Sequence, residues 1–366
     1  YLAAAGPSTG PAIPGVTASQ PVTDLQSVTV HVQVVDGVPG APAGALPSGL
    51  FIGSLRQLPP DRRARAGDLI QRSDSLAPES LVDLNSALVA DVILIATDAG
   101  RNLDGSPVHI HLRSSGAPAF SQPRILVDVA RDSRLTLTLE HSGAEGSLAN
   151  AVTQAWVGDG SHLSLIRVQC LPDDGMITDT SRLELGAGAT ASITSVDLGA
   201  LLSRQSMTVA LAGAGASATI DGLFLADGIR HIDNRTRLEH QAPATTSRES
   251  FRGLADGRGR GVFNGKIIVM PGAAGSNAAL SNRILHLATT AEIDTKPELE
   301  IYVDDVRCSH GATTGQLDSD ALFYLRSRGL DPAAARQVLT AAFLREGLGG
   351  IVIPQLRTRL EDLLQK

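Results

Sequence analysis

Cysteine is almost missing from the 366-residue chain: only Cys170 and Cys308 occur. Two thiols cannot make a disulfide framework, and nothing in the sequence favours a bridge between them, so the composition suits a reducing compartment. Aromatic residues are nearly as scarce, at 3%, with one Trp and three Tyr. That removes most of the platforms on which sugar rings stack. Basic residues are outnumbered 31 to 38 by acidic ones, leaving a net charge of −7 and no broad positive field for a phosphate backbone. Nucleic acid is therefore not an expected partner, and Arg62, Arg63 and Arg65 read as a solvated loop. Long apolar runs are missing too. The longest, Leu88 to Ala96, is interrupted by Asp91 and falls far short of the roughly 20 residues needed to cross a bilayer. No N-terminal stretch joins a basic region to an apolar core, as a secretory signal would. Gly257 to Gly261 (GRGRG) has neither the spacing nor the following Lys-Ser or Lys-Thr of a phosphate loop. These absences predict a soluble cytoplasmic protein with no membrane partner and no nucleotide of its own.

What the chain does contain is β-strand texture. Residues 1 to about 24 are rich in Ala, Gly, Pro, Ser and Thr and read as a loose arm. Val28 to Val34 alternates as a strand before an Asp36-Gly37 turn, and a Pro/Gly-rich loop leads to a second strand near Leu50 to Leu55. His31 on the first strand reads as solvent-facing. Leu58 to Ala90 has a helical apolar spacing broken near Pro78, which completes a mixed N-terminal region over residues 1–90. From residue 91 to 316 short runs such as VILIA, VHIHL, RLTLTLE and ASITSVDL follow one another with no long helical pattern. Gly158-Asp159-Gly160, Gly186-Ala187-Gly188 and Gly213-Ala214-Gly215 each precede such a run, about 27 residues apart. Regular short strands after glycine corners predict the stacked coils of a β-helix, with strands around Leu163, Ile193 and Ile220 as parallel neighbours. Small and β-branched residues suit its narrow interior, where bulky rings are not expected to stack.

Residues 317–366 turn helical. Asp318 can cap a helix that stops at Gly329, and Asp331-Pro332 offers a cap and a first-turn proline for a second helix. A third segment after Pro354 places Leu356, Leu360, Leu363 and Leu364 at helical spacing. One face of this module is expected to cap the solenoid. The remainder of the stripe through Leu322, Phe323, Leu339 and Phe343 is expected to dock a partner, so that deletion from Asp318 onward leaves a folded β core.

Reactive side chains concentrate between Lys296 and Asp318. A strand from Leu299 to His310, ended by Gly311 and Gly315, puts Asp304, Val306, Cys308 and His310 on one face. Thiolate and imidazole suit iron or zinc, yet a tetrahedral metal or a cluster commonly takes four ligands. With three donors at most on this face, a complete site needs a second chain or an exogenous ligand. Activation of Cys308 by His310 as a hydrolase is a poor fit, because neighbours on one strand face point the same way. His109 and His111 also share a face and read better as exposed than as a chelate. Asp233, Glu239 and His240 read as a polar turn, and Cys170 as a small buried hydrophobe.

The run KPELEIYVDDVRCSHGATTGQLD followed by ALFYLRSRGL resembles the C-terminal signature of SufD subunits in the SufB/SufD family of the SUF iron–sulfur cluster assembly system. RHIDNRTRLEHQAPATTSRESFRGL, GVFNGKIIV and NRILHLATTAEID extend the likeness upstream, in order, across about the last third of the chain. The resemblance implies a right-handed parallel β-helix core, residues 91–316, with an α-helical C-terminal domain, 317–366, and a partly irregular N-terminal region. It also implies an N-terminal helical segment, which is not evident in this sequence, and residues preceding Tyr1 are expected. It further implies a non-catalytic scaffold that pairs with a SufB-like subunit and binds a SufC-like ABC ATPase through its C-terminal helices. Cys308 and His310 would face the pairing seam and share a transient iron–sulfur cluster or iron with the partner. A polysaccharide-active β-helix enzyme using Asp304-Asp305, and a purely structural homodimer, are the alternatives.

Overall fold

The computed structural model describes residues 28–74, 80–116 and 119–364; the expected N-terminal arm and the Pro78 break lie outside them. The first half of the β-structure comprises β1 (Val30–Val35), β2 (Val38–Pro39), β3 (Leu50–Ser54), β4 (Val92–Thr97), β5 (Val108–Ser114), β6 (Phe120–Ser121), β7 (Arg124–Val129), β8 (Arg134–Gly143), β9 (Leu148–Val157) and β10 (His162–Gln169). It continues with β11 (Met176–Leu185), β12 (Thr190–Asp197), β13 (Leu202–Leu211), β14 (Ser217–Ala226), β15 (His231–His240), β16 (Thr246–Ala255), β17 (Arg260–Val269), β18 (Ser276–His286), β19 (Glu292–Ile301) and β20 (Val306–Gly315). Helices α1 (Pro60–Asp74) and α2 (Ser80–Leu88) interrupt the strands early, and α3 (Ser319–Ser327), α4 (Pro332–Arg345) and α5 (Pro354–Leu363) follow them. No helix among the described residues is long and apolar enough to span a membrane.

From β8 to β20 the chain crosses between two sheets at every corner. One sheet runs β2-β1-β5-β8-β10-β12-β14-β16-β18-β20 and the other β19-β17-β15-β13-β11-β9-β7-β4-β3. Each strand lies parallel on the strand of the previous turn, which is the predicted parallel β-helix. Leu165 stands opposite Ile193 and Ile193 opposite Ile220, so the three predicted strands are parallel neighbours. Alternation decides what faces inward: Leu163, Leu165, Ala191, Ile193, Ala218 and Ile220 all join the bore. The repeat glycines make the corners. Gly160, Gly188 and Gly215 have φ of 67°, 61° and 71°, a region that a side chain disfavours.

The bore departs from expectation in two ways. Phe224, Phe251 and Phe263 are fully buried inside it. They fit because glycines vacate the neighbouring rungs: a Cβ on Gly222 would lie 2.2 Å from the Phe251 ring, and one on Gly253 2.1 Å from Phe224. Glycine makes the room for each ring, and Phe251 and Phe263 also pack on each other, with centroids 4.8 Å apart and planes tilted by 41°. Charged residues also point inward. Arg167 bonds Asp197 at 3.0 Å and also Asp179, all three buried. Burial works to raise Asp179, but Arg167 and His141 overcome it and hold the carboxyl below the ordinary range.

The C-terminal helices do not cap the end of the solenoid. Leu344, Leu348, Ile351, Ile353, Leu356 and Leu360 bury against Ile166, Val168, Val196, Leu223, Leu225 and Leu254 on its flank. The alternation explains this placement. These β residues stand on the outward row of the sheet yet are apolar, so they require a cover. Cys170 is buried in the same cluster, and burial pushes its thiol well up. Asp318 accepts from the amides of Asp320 and Ala321, Asp331 from those of Ala333 and Ala334, and Gly329 follows α3 at φ 96°. On the opposite sheet Ala66 and Leu69 of α1 bury against Leu94, Leu126 and Trp156. Arg62 and Arg65 belong to this helix rather than to a loop, pairing with Asp98 and Asp128.

Candidate functional site

The segment expected to be one strand from Leu299 to His310 is two. β19 ends at Ile301 and β20 begins at Val306 in the other sheet, so Asp304 sits on an exposed corner off the Cys308 face. The amide of Gly275 donates to the Asp305 carbonyl at 2.7 Å, stacking this corner on the previous one. β20 then continues through Gly311 to Gly315 because its whole length pairs with β18. Ladder pairing overrides the weak strand preference of glycine.

Cys308 stands opposite Ala278 and His310 opposite Leu280, and both of those residues are core. Cys308 and His310 therefore occupy the inward row of the last turn. Among the described residues no further rung covers that row. Cys308 remains half-buried against the core, while His310 is exposed at the lip. Burial raises the Cys308 thiol pKa, and the Ala278 backbone works in the opposite sense. No hydrogen bond joins the two side chains, which leave one strand face in the same direction. Among the described residues no three His, Cys, Asp or Glu side chains are grouped to hold a metal. A thiol and an imidazole on one row are donor types that suit iron once the thiol loses its proton, but two donors do not make a full shell.

The predicted docking residues divide. Phe323 is 73% exposed and Tyr324 beside it 56%, whereas Leu322 and Leu339 are half-buried. Phe343 faces inward against the flank cluster, with the Arg252 guanidinium 5.1 Å over its ring. The free face of the helical module is thus the α3 side.

The histidines expected to be exposed are buried or nearly so. His109 is fully buried and His111 is 7% exposed. His31 Nδ1 lies 3.0 Å from His109 Nδ1, His109 Nε2 lies 3.2 Å from a Glu140 oxygen, and His111 Nε2 is 2.7 Å from Ser142 Oγ. Parallel register causes this by placing β1, β5 and β8 side by side, so residues far apart in sequence meet on one outward row. Burial holds His111 down to about 4. Asp233 and Glu239 pair with Arg235 and Arg237, and His240 is enclosed by Thr245 and Ser247. Sequence reasoning missed Glu249, buried in the bore and raised to about 7 by burial. Its signal was a charge at an inward position of the alternation in TSRESFRGLA.

Residues 111–343 match the family model for the SUF system FeS cluster assembly, SufBD core domain. The chain is 30% identical over 330 residues to an iron–sulfur cluster assembly SufBD family protein of Synechocystis, covering 87% of this chain and 72% of that one. It is 40% identical over 164 residues to the iron–sulfur cluster assembly protein SufD of Escherichia coli, covering 45% and 39% respectively. A SufBD family protein of Mycobacterium leprae is 28% identical over 297 residues, 79% of this chain and 74% of that protein. On a match that spans most of its solenoid, the chain belongs to the SufBD family of the SUF iron–sulfur cluster assembly system.

Proposed function

We propose that this chain is a non-catalytic, cytoplasmic scaffold subunit of the SufD type. It pairs through its last turn with a SufB-like subunit, and the two together hold a transient iron–sulfur cluster or its iron as cargo. A SufC-like ABC ATPase docks on the exposed α3 side, through Phe323 with Leu322 and Leu339 beside it. One observation supports the pairing most: the inward row carrying Cys308 and His310 ends in the open, so two donors stand where a second chain can supply the rest. Two free cysteines fit a reducing compartment. The polysaccharide reading gains no support, because Asp304 and Asp305 lie on an exposed corner and not along a groove.

The test is co-expression with SufB-like and SufC-like partners, followed by iron and sulfide analysis. The complex should carry cluster that the chain alone does not. His310→Ala should lower that content while the complex stays intact, since an exposed histidine contributes little to folding. Cys308→Ser should act less strongly if partner residues hold most of the iron. Full assembly by the Cys308→Ser/His310→Ala protein in an intact complex would place the chemistry elsewhere. A stable homodimer that refuses the SufB-like chain would favour the structural alternative.

A further inference from the structure

Four polar side chains lie on neighbouring rungs inside the bore, where a β-helix is ordinarily apolar. Gln205 on β13 and Asn234 on β15 are ladder neighbours, Thr236 follows on the same inward row, and the Glu249 carboxyl lies beside the Thr236 hydroxyl. Each is at most 4% exposed. Gln205 uses its carbonyl to accept from Ser195 Oγ at 2.8 Å, but its Nε2 has no protein partner. The same holds for Asn234 Nδ2 and Oδ1, and neither Glu249 oxygen nor Thr236 Oγ1 completes a well-formed hydrogen bond. Donors and acceptors are both present on adjacent rungs, yet they do not close on one another.

Leaving these six atoms dry would cost as much as the whole net stability of a typical domain. Buried polar atoms of this kind are normally satisfied by ordered water with two to four partners each. We propose that the bore between β13 and β16 holds a small cluster of ordered water molecules that bridges Gln205, Asn234, Thr236 and Glu249. Water fits better than a cation. Among the described residues Glu249 belongs to no group of three His, Cys, Asp or Glu side chains that could hold a metal, and its ladder neighbours are Ile220 and Leu280. Burial, offset only in part by Thr236, also favours the neutral acid, which can donate to water as well as accept. The cluster sits close behind the last turn, because Glu249, Leu280 and His310 occupy one inward row on β16, β18 and β20.

Magnetic relaxation dispersion of water oxygen-17, on the full chain in solution, counts water molecules held for longer than tumbling. Wild type and Glu249→Gln, which keeps a polar group in place, should give the same count. Thr236→Val/Glu249→Met, close in volume but apolar, should lose at least two long-lived waters. Equal counts in wild type and the double variant would overturn the proposal. Should that variant fail to fold, a crystal structure of the wild type decides the matter. Ordered density touching Asn234 and Glu249 supports the cluster, and side chains bonded directly to each other in a dry bore refute it. Replacement of that density by rubidium in soaked crystals would also refute it, by making the site a cation site.

Discussion

Glu249 shows how a single buried group ties stability to pH. Its pKa in the folded chain is about 7, against 4.5 for an ordinary glutamate, with burial as the dominant cause. The folded state therefore binds a proton more tightly than the unfolded chain. The associated stability is fully present below about pH 4.5 and is lost as pH rises through about 7. A difference of this size corresponds to roughly 3 kcal/mol at its limit. Glu249→Gln cannot ionise, so it should be more stable than wild type at pH 8, by up to about 3 kcal/mol, with that advantage absent near pH 4.5. Urea denaturation of both proteins at pH 5 and pH 8 reads this directly. A gap of equal size at both pH values would mean that the carboxyl is not neutral in the fold.

Neighbouring residues explain what a one-dimensional reading cannot see. VHIHL is correctly a strand, and His109 and His111 correctly share a face, but whether that face is wet depends on Glu140, 31 residues away along the chain from His109. Register, not local pattern, brings them together. Cys308 and His310 were legible because two side chains two positions apart on a strand necessarily share a row. Asp304 was misplaced because a corner of four residues, Tyr302 to Asp305, interrupts what alternation alone presents as one run. Phe251 in the bore could not be anticipated from composition, since its room is made by Gly222 on another turn.

At the scale of elements, α4, α5 and the segment joining them are part of the core. Leu344, Leu348, Leu356 and Leu360 are each at most 1% exposed against the outward apolar row of the solenoid. Each such burial contributes roughly 1.5–3 kcal/mol. Deletion from Asp318 onward would uncover that row and invite aggregation, so it no longer tests docking cleanly. A surface substitution does. Phe323→Asp leaves the flank cluster untouched and should change stability by no more than about 0.5 kcal/mol. It should weaken ATPase docking by at least tenfold in a titration against the SufC-like protein, if the α3 side is the docking face. Unchanged affinity would move that face elsewhere on the module. Helix caps, glycine stop and apolar stripes were all readable here, since they act over four residues or fewer. The surface that receives the stripe was not, because it is assembled from four separate turns.

At the scale of the molecule, the two ends of the solenoid differ in a way that bears on where the proposed partner would join. The first turn finishes on short antiparallel strands: β2 has two residues, one of them Pro39, and β3 has five. Short edges and proline blunt an edge against further pairing. The last turn finishes on two strands of ten residues each. They are unequal. β19 alternates Glu292, Asp294, Lys296, Glu298 and Glu300 on its outward row, charges of the kind that discourage indiscriminate pairing. β20 carries no carboxylate at all, and its only strongly charged side chain is Arg307. Alternate amides of β20 point away from β18, and no strand among the described residues receives them. A SufB-like partner that adds its own strand there would satisfy them and enclose Cys308 and His310 in the same step. Hydrogen–deuterium exchange should then show amides of residues 306–315 protected at least tenfold more in the complex than in the isolated chain, while residues 30–39 and 50–54 stay unchanged. Protection that appears at the first turn, or only on α1 and α2, would show that the partner joins elsewhere and that the open row at Cys308 and His310 is not the seam.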